Sequence, residues 1–175
     1  MQNFLAISAM GANRADPVEP LLKTIRECGC NIMESRVSII GDRCAIIMLL
    51  SGTWDTIAKI EPLLTRLEDE LDIKFLVQRT SAREPEIKLM PYAVEVVAAD
   101  QVGLVHQIVR FFIQRKIYIG NLYSENYTAA HTGTRMFSLH MTVSIATDIS
   151  IAAIRNEFID FCDQLNLDAV MEPVK

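Results

Sequence analysis

The chain carries the same apolar pattern twice. Val18, Leu21, Leu22 and Ile25 lead into Asn31-Ile32. Val105, Ile108, Val109 and Phe112 lead into Tyr118-Ile119, every position displaced by 87 residues. A duplication at half of a 175-residue chain means two copies of one supersecondary unit, with function expected where the copies or their loops meet. Each half is long enough for a modest core and marginal on its own.

Within the first copy, Phe4 to Met10 reads as a strand and Gly11 to Asp16 as a loop. Pro17 suits a first helical position. Val18, Leu21, Leu22, Ile25 and Cys28 recur at helical spacing, and Gly29 ends that helix. Asn31 to Ile40 and Cys44 to Leu50 are strands about a Gly41-Asp42 hairpin turn. Ile57, Ile60, Leu64, Leu67 and Leu71 mark a second helix, and Ile73 to Val77 a last strand. The order is βαββαβ. Thr80 to Pro91, rich in charge and proline, reads as a linker. The order then recurs, with strands over Tyr92 to Ala99, Tyr118 to Tyr127, Met136 to Ile145 and Leu167 to Met171. Helices run from Gly103 to Arg115 and along Ile151, Ile154, Phe158, Phe161 and Leu165. The expected architecture is α+β, two tandem ferredoxin-like units, each a four-stranded antiparallel sheet with two helices on one face. The units span 1–80 and 92–175, joined by a linker at 81–91.

The first and third strands are the middle ones of such a sheet. Cys44 to Leu50 is apolar on both parities, although a strand with one wet face should alternate. A cover over the outer face of the first sheet is therefore expected, from the second domain or from another chain. In the second copy Phe137, Leu139, Met141 and Val143 alternate with Ser138, His140 and Thr142, so that outer face reads as polar.

Net charge −5 gives no general attraction to phosphate backbones, and no basic stripe or helix-turn-helix signal is present, so direct nucleic-acid binding is not expected. No apolar run reaches the length of a membrane span and no signal peptide is read before Phe4, which points to a cytoplasmic protein. Cys28-Gly29-Cys30 lacks the second ligand pair of a zinc site, and Cys44 and Cys162 fall in apolar patterns as small buried hydrophobes. Neither a metal nor a cofactor is expected.

The sharpest local signal is Asp100-Gln101-Val102-Gly103-Leu104-Val105, between the first strand and first helix of the second copy. Glycine permits a tight bend, and the helix start presents unpaired N–H groups suited to a carboxylate. Asp100 can cap that helix or accept from an ammonium group. Such a loop suits a small amino acid; Asp-x-x-Gly is equally an ordinary turn and cap.

The tandem units with Asp100-x-x-Gly103-Leu104-Val105 resemble paired ACT domains, small-molecule sensors of amino-acid metabolism. Ala9-Met10-Gly11-Ala12-Asn13-Arg14, Cys28-Gly29-Cys30-Asn31-Ile32, Ser35-Arg36 and Ile47-Met48-Leu49-Leu50-Ser51-Gly52 further resemble the glycine cleavage system transcriptional repressor family. The resemblance implies ligand contacts from the first-strand loops and the start of the second strands, at a domain or subunit interface. The positions it carries over are Asn13, Arg14, Asn31, Asp100, Gln101, Gly103, Leu104, Val105 and Asn121. The first copy departs from the family's Gly-Ala-Asp-Arg-Pro-Gly-Ile loop in reading Gly11-Ala12-Asn13-Arg14-Ala15-Asp16-Pro17. The second retains Gly103 but has Val102 for proline and Tyr118 for asparagine. Each copy keeps a different half of the expected site.

The resemblance implies a non-catalytic regulator that senses a small amino acid such as glycine, possible as a homodimer, and represses transcription through a LysR-type partner. A pure interaction module without ligand is the alternative. A small acylphosphatase-like hydrolase using Arg14 and Asn31 is a further one, against which stands the absence of a G-x-S-x-G or metal-spaced cluster.

Overall fold

A computed structural model describes residues 2–13, 17–81 and 89–174. The chain divides into two compact units, Met1–Glu84 and Pro85–Lys175. The first runs β1 (Asn3–Ala12), α1 (Val18–Glu27), β2 (Asn31–Ile40), β3 (Arg43–Gly52), α2 (Trp54–Leu71) and β4 (Ile73–Thr80). The second repeats it as β5 (Leu89–Ala99), α3 (Leu104–Gln114), β6 (Tyr118–Thr128), β7 (Arg135–Ala146), α4 (Ile151–Gln164) and β8 (Asp168–Pro173). The sheets are ordered β2-β3-β1-β4 and β6-β7-β5-β8, every pair antiparallel. This is the expected ferredoxin-like pair, with the first and third strands of each unit in the middle.

The repeat reaches details that apolar periodicity does not encode. α1 ends with Gly29 at φ +77°, the Gly29 amide donating to Arg26 and the Cys30 amide reaching back to Ile25. α3 ends in the same double bond, Lys116 to Ile113 and Ile117 to Phe112, with Lys116 taking the left-handed position at φ +58°. β2 and β6 both slip register near their starts, at Ile32/Glu34 and Ile119/Asn121. The bulged residues, Met33 and Gly120, are equivalent.

One face of each sheet carries the core. Leu5, Ile7, Ile46, Met48 and Leu50 meet Leu21, Ile25, Ile57, Ile60 and Leu64 in the first unit. Val94, Val96, Leu139 and Val143 meet Ile108, Phe112, Ile154 and Phe158 in the second. Phe111, Phe112, Phe158 and Phe161 form a ring cluster there, with centroids 4.9 to 5.2 Å apart for the closest pairs. Cys28, Cys44 and Cys162 are buried thiols, and burial pushes Cys162 up to about 12.

Two expectations change. β5 begins at Leu89 rather than Tyr92, so Pro91 lies inside a strand; the β8 ladder runs only from Tyr92 onward, and beyond it the Pro91 carbonyl accepts from the Val174 amide at 3.2 Å. That position behaves as an edge, where proline's missing N–H is tolerated. Pro17 stands one place earlier than expected, as the N-cap of α1. Within its own unit the outer face of β3 carries no cover, with Ile47 57% exposed and Leu49 half-buried.

Candidate functional site

The loop after β5 is shaped by Gly103. It caps α3 at φ +93° and ψ 0°, where a side chain at Cβ is strained, and its carbonyl accepts the first helical bond from the Gln107 amide at 3.0 Å. The amides at the start of α3 therefore emerge beside the loop, with the positive end of the helix dipole. Leu104 anchors the turn in the core; Gln101 and Val102 stand in solvent. Asp100 is held at the strand end by its amide, which donates to the Arg135 carbonyl at 3.0 Å. Its carboxylate lies 3.9 Å from Arg135 Nε.

These residues open onto a hollow of about 560 Å³ lined by Asp100 to Val105 together with Ser124, Glu125, Asn126 and Phe137. The antiparallel register explains the last four. Glu125 pairs with Ser138 and Asn126 with Phe137, which in turn pair with Val97 and Ala98 at the end of β5. The far half of β6 thus lies beside the loop. Glu125 accepts a 2.6 Å hydrogen bond from the Tyr123 hydroxyl, which lifts that phenol above its ordinary range. Asp100 therefore stands in the lining beside the amides at the start of α3, while the Glu125 side chain follows Tyr123 on the outer face of the sheet. The pairing of Asp100 with those amides can hold an ammonium group at one end and a carboxylate at the other. The lining residues Ser124, Glu125, Asn126 and Phe137 were not in the sequence-derived set; only hairpin register could have found them.

The remaining expected site residues are dispersed. Asn121 pairs with Thr142, opposite Ala93, seven residues of β5 before Asp100. That is roughly 20 Å at strand rise, so this unit's own loop and Asn121 do not meet. In the first unit the Asn13 amide donates to the Asp42 carbonyl at 3.0 Å, the counterpart of the Asp100 to Arg135 bond. Asn31 stands at the other end of that sheet, paired with Ser51 opposite Phe4, and its Nδ2 donates to Met33 Sδ at 3.5 Å. It lines a separate hollow of about 370 Å³ with Leu22, Ile25, Arg26, Gly29, Cys30 and Ile32. Arg14 lies outside the described residues.

A larger groove, about 670 Å³, runs between α3 and α4. Its main cation is already engaged: Arg115 pairs with Glu157 at 2.9 Å, donates to the Phe111 carbonyl at 3.0 Å and stacks 3.7 Å over the Phe111 ring. We read it as a braced helix seam. His140, on the outer face of the second sheet, faces Glu95 at 3.5 Å. Among the described residues no group of His, Cys, Asp or Glu could hold a metal ion, and no helix is long and apolar enough to cross a membrane.

Comparison with known proteins agrees with this fold. A family model for the ACT domain matches residues 3–78. The glycine cleavage system transcriptional repressor of Escherichia coli K12 is 31% identical over 165 residues, covering 94% of this chain and 87% of that protein. The Shigella flexneri protein of the same name matches equally. A crystal structure described as that of a candidate glycine cleavage system transcriptional repressor superposes with TM-score 0.74 at 24% identity, over 100% of this chain and 99% of the other. An uncharacterised protein from Galdieria sulphuraria superposes over the full length of both chains, with TM-score 0.80 at 18% identity. These last two bear on the fold alone.

Proposed function

The chain belongs to the glycine cleavage system transcriptional repressor family, and from that membership and the Gly103 loop we propose a non-catalytic regulator that senses a small amino acid, glycine or one close to it. It acts through a protein partner, a LysR-type transcription factor by family resemblance, and works in the cytoplasm. The observation that carries the reading is the hollow lined by Asp100 to Val105, where the Asp100 side chain lies beside the amides at the start of α3. The ligand carboxylate lies against the helix start and its ammonium group against Asp100. Gln101, Gly103, Leu104 and Val105 supply the backbone and wall. Asn121, Asn31, Asn13 and Arg14 contribute only where a different unit or copy brings them to a loop.

Size sets the affinity. Glycine has five heavy atoms, so a ceiling of about −1.5 kcal/mol per atom allows roughly −7.5 kcal/mol, a micromolar limit. The test is a thermal-shift screen of the twenty amino acids at about 10 mM, where a ligand at ~100 times its dissociation constant adds ~2.7 kcal/mol. A selective rise with glycine or serine supports sensing. No rise with any amino acid removes it. One observation favours an interaction role for the first unit beside sensing by the second: Met10, Ile47 and Leu76 stand exposed on one sheet face.

A further inference from the structure

The outer face of the first sheet has an ordered pattern. Across β1 and β3, Ala6 is paired with Leu49, Ser8 with Ile47 and Met10 with Ala45. These three successive outward rows of the two middle strands each hold one large apolar residue and one small one. On β4, Leu76 flanks Ser8 and Lys74 flanks Met10. The result is a hollow of about 340 Å³ floored by Ser8 and Ala45 and rimmed by Met10, Ile47 and Leu76. The rim residues are 56%, 57% and 71% exposed. Contiguous exposed apolar surface of this kind marks an interaction site.

We propose that this face is the docking surface for a second copy of the chain, same face to same face. The reason is self-complementarity. A two-fold axis running along the strands lays β1 of one copy over β3 of the other at the same level. Leu49 then meets the partner's Ala6, Ile47 the partner's Ser8 and Met10 the partner's Ala45. Every knob finds a hole three times over, and twice by symmetry, as an isologous interface requires. The same operation lays Leu76 over the aliphatic stem of the partner's Arg36, since Arg36 pairs with Ile47 on the opposite edge. A two-fold axis across the strands instead sets Ile47 on the partner's Ile47 and Arg36 on the partner's Arg36. Two sheets packed this way incline by about 30°, the ordinary angle of a sandwich.

The area is adequate and no more. Five outward levels on four strands cover about 27 Å by about 19 Å, roughly 500 Å² per copy and ~1,000 Å² in total, the lower bound for a specific interface. The second unit cannot make the equivalent contact at comparable cost. Its middle rows are Ala93 with Thr142, Glu95 with His140 and Val97 with Ser138, and the ionisable pair at the centre would be stripped of water.

Sedimentation velocity on the full chain, from about 1 to about 200 µM, tests the proposal. The wild type is expected to pass from monomer to dimer over that range. Ile47→Glu places a charge at the centre of the contact, and Ser8→Leu fills the hole. Both side chains lie off the core, and Trp54 fluorescence and circular dichroism check that the unit stays folded; Leu76→Glu repeats the test should Ile47→Glu unfold it. Each variant is expected to weaken the dimer at least tenfold. Ser8→Leu is the discriminating case, because added apolar area strengthens indiscriminate sticking and weakens a matched contact. A wild type that stays monomeric overturns the proposal, as does a dimer that either variant leaves unchanged or that Ser8→Leu tightens.

Discussion

The two units follow one chain path and differ in what they leave outside it. In the first, the middle strands turn Met10, Ala45, Ile47 and Leu49 away from the core; in the second, the matching rows turn out Glu95, Thr142 and His140. The first unit packs an aliphatic core, while the second packs four phenylalanines between its helices. The second has its loop glycine at the helix cap, with a hollow lined by Asp100 to Val105 beside it, where the first has Pro17 as the cap. As proposed above, the two copies accordingly do different work, a partner surface in one and a small-molecule cleft in the other. The scaffold tolerates both because it asks only for one apolar face per sheet.

The largest break in the comparison is expected at position 11. Gly11 and Ala98 are equivalent, yet a Cβ at Gly11 would collide with the Asp72 carbonyl and come within 2.8 Å of Ile73 Cα, where β4 begins. Backbone cannot yield as a side-chain tip can. Gly11→Ala is expected to destabilise the first unit by about 3 kcal/mol, the upper part of the usual overpacking range. Ala98→Gly should cost the second only ~1 kcal/mol. Urea unfolding followed by Trp54, the single tryptophan and a reporter of the first unit, checks the former.

Next in size is Gly103→Val. A β-branched residue at φ +93° costs about 1–3 kcal/mol of local strain and turns the helix-start amides aside. Amino-acid binding by calorimetry should disappear while the unit's far-ultraviolet spectrum is retained. Normal binding would remove the loop from the site.

A smaller effect is expected at the helix ends. Lys116 holds, at φ +58°, the left-handed cap that Gly29 holds in the other copy. Lys116→Gly should raise the stability of the second unit by roughly 0.5–1 kcal/mol, because the strained cap is relieved by more than chain entropy costs. Gly29→Lys should lower the first by a similar amount. A differential melt of the two variants reads both.

The smallest difference concerns pH. In the first unit, Arg79 holds the Glu61 carboxyl below its ordinary range through bonds of 2.8 and 2.9 Å. The Phe75 amide at 2.7 Å, and then Lys74, do the same for Glu68. Both folded values are depressed, so the stability they contribute is present above the unfolded carboxylate value of about 4.3 and is lost as pH falls through the lower folded values. These pairs are solvent-accessible and the loss is correspondingly modest. The Trp54-detected midpoint should fall between about pH 5 and about pH 3, and Arg79→Gln should flatten that fall.

Much of this was legible in the chain. The 87-residue offset, the alternation in β7 and the helical spacing of Val18 to Cys28 required nothing beyond local pattern, since a strand and a helix each impose a fixed period on side chains that seek the core. The loop was legible too, because Asp100-x-x-Gly103 must turn between a strand and a helix. Its wall was not. Ser124, Glu125 and Asn126 come to Asp100 only because the β6–β7 hairpin folds back upon β5, and no local signal states which residue of a long strand ends beside a given loop. Asn121 carried the right chemistry and lies seven strand positions away. Pro91 marked a linker by composition but sits in β5, beyond the end of the β8 ladder.

The sequence by itself determined the repeat, the order of elements, the core faces and the loop at Gly103, because each follows from short-range periodicity or from a backbone conformation one residue type favours. Only the tertiary structure decided which side chains share the hollow, and that Ile47 and its neighbours form a cup of alternating large and small residues on an open face. Those are matters of register between strands far apart in the chain, and register is set by the packing of a whole sheet, one residue of slip being enough to turn every side chain to the other face.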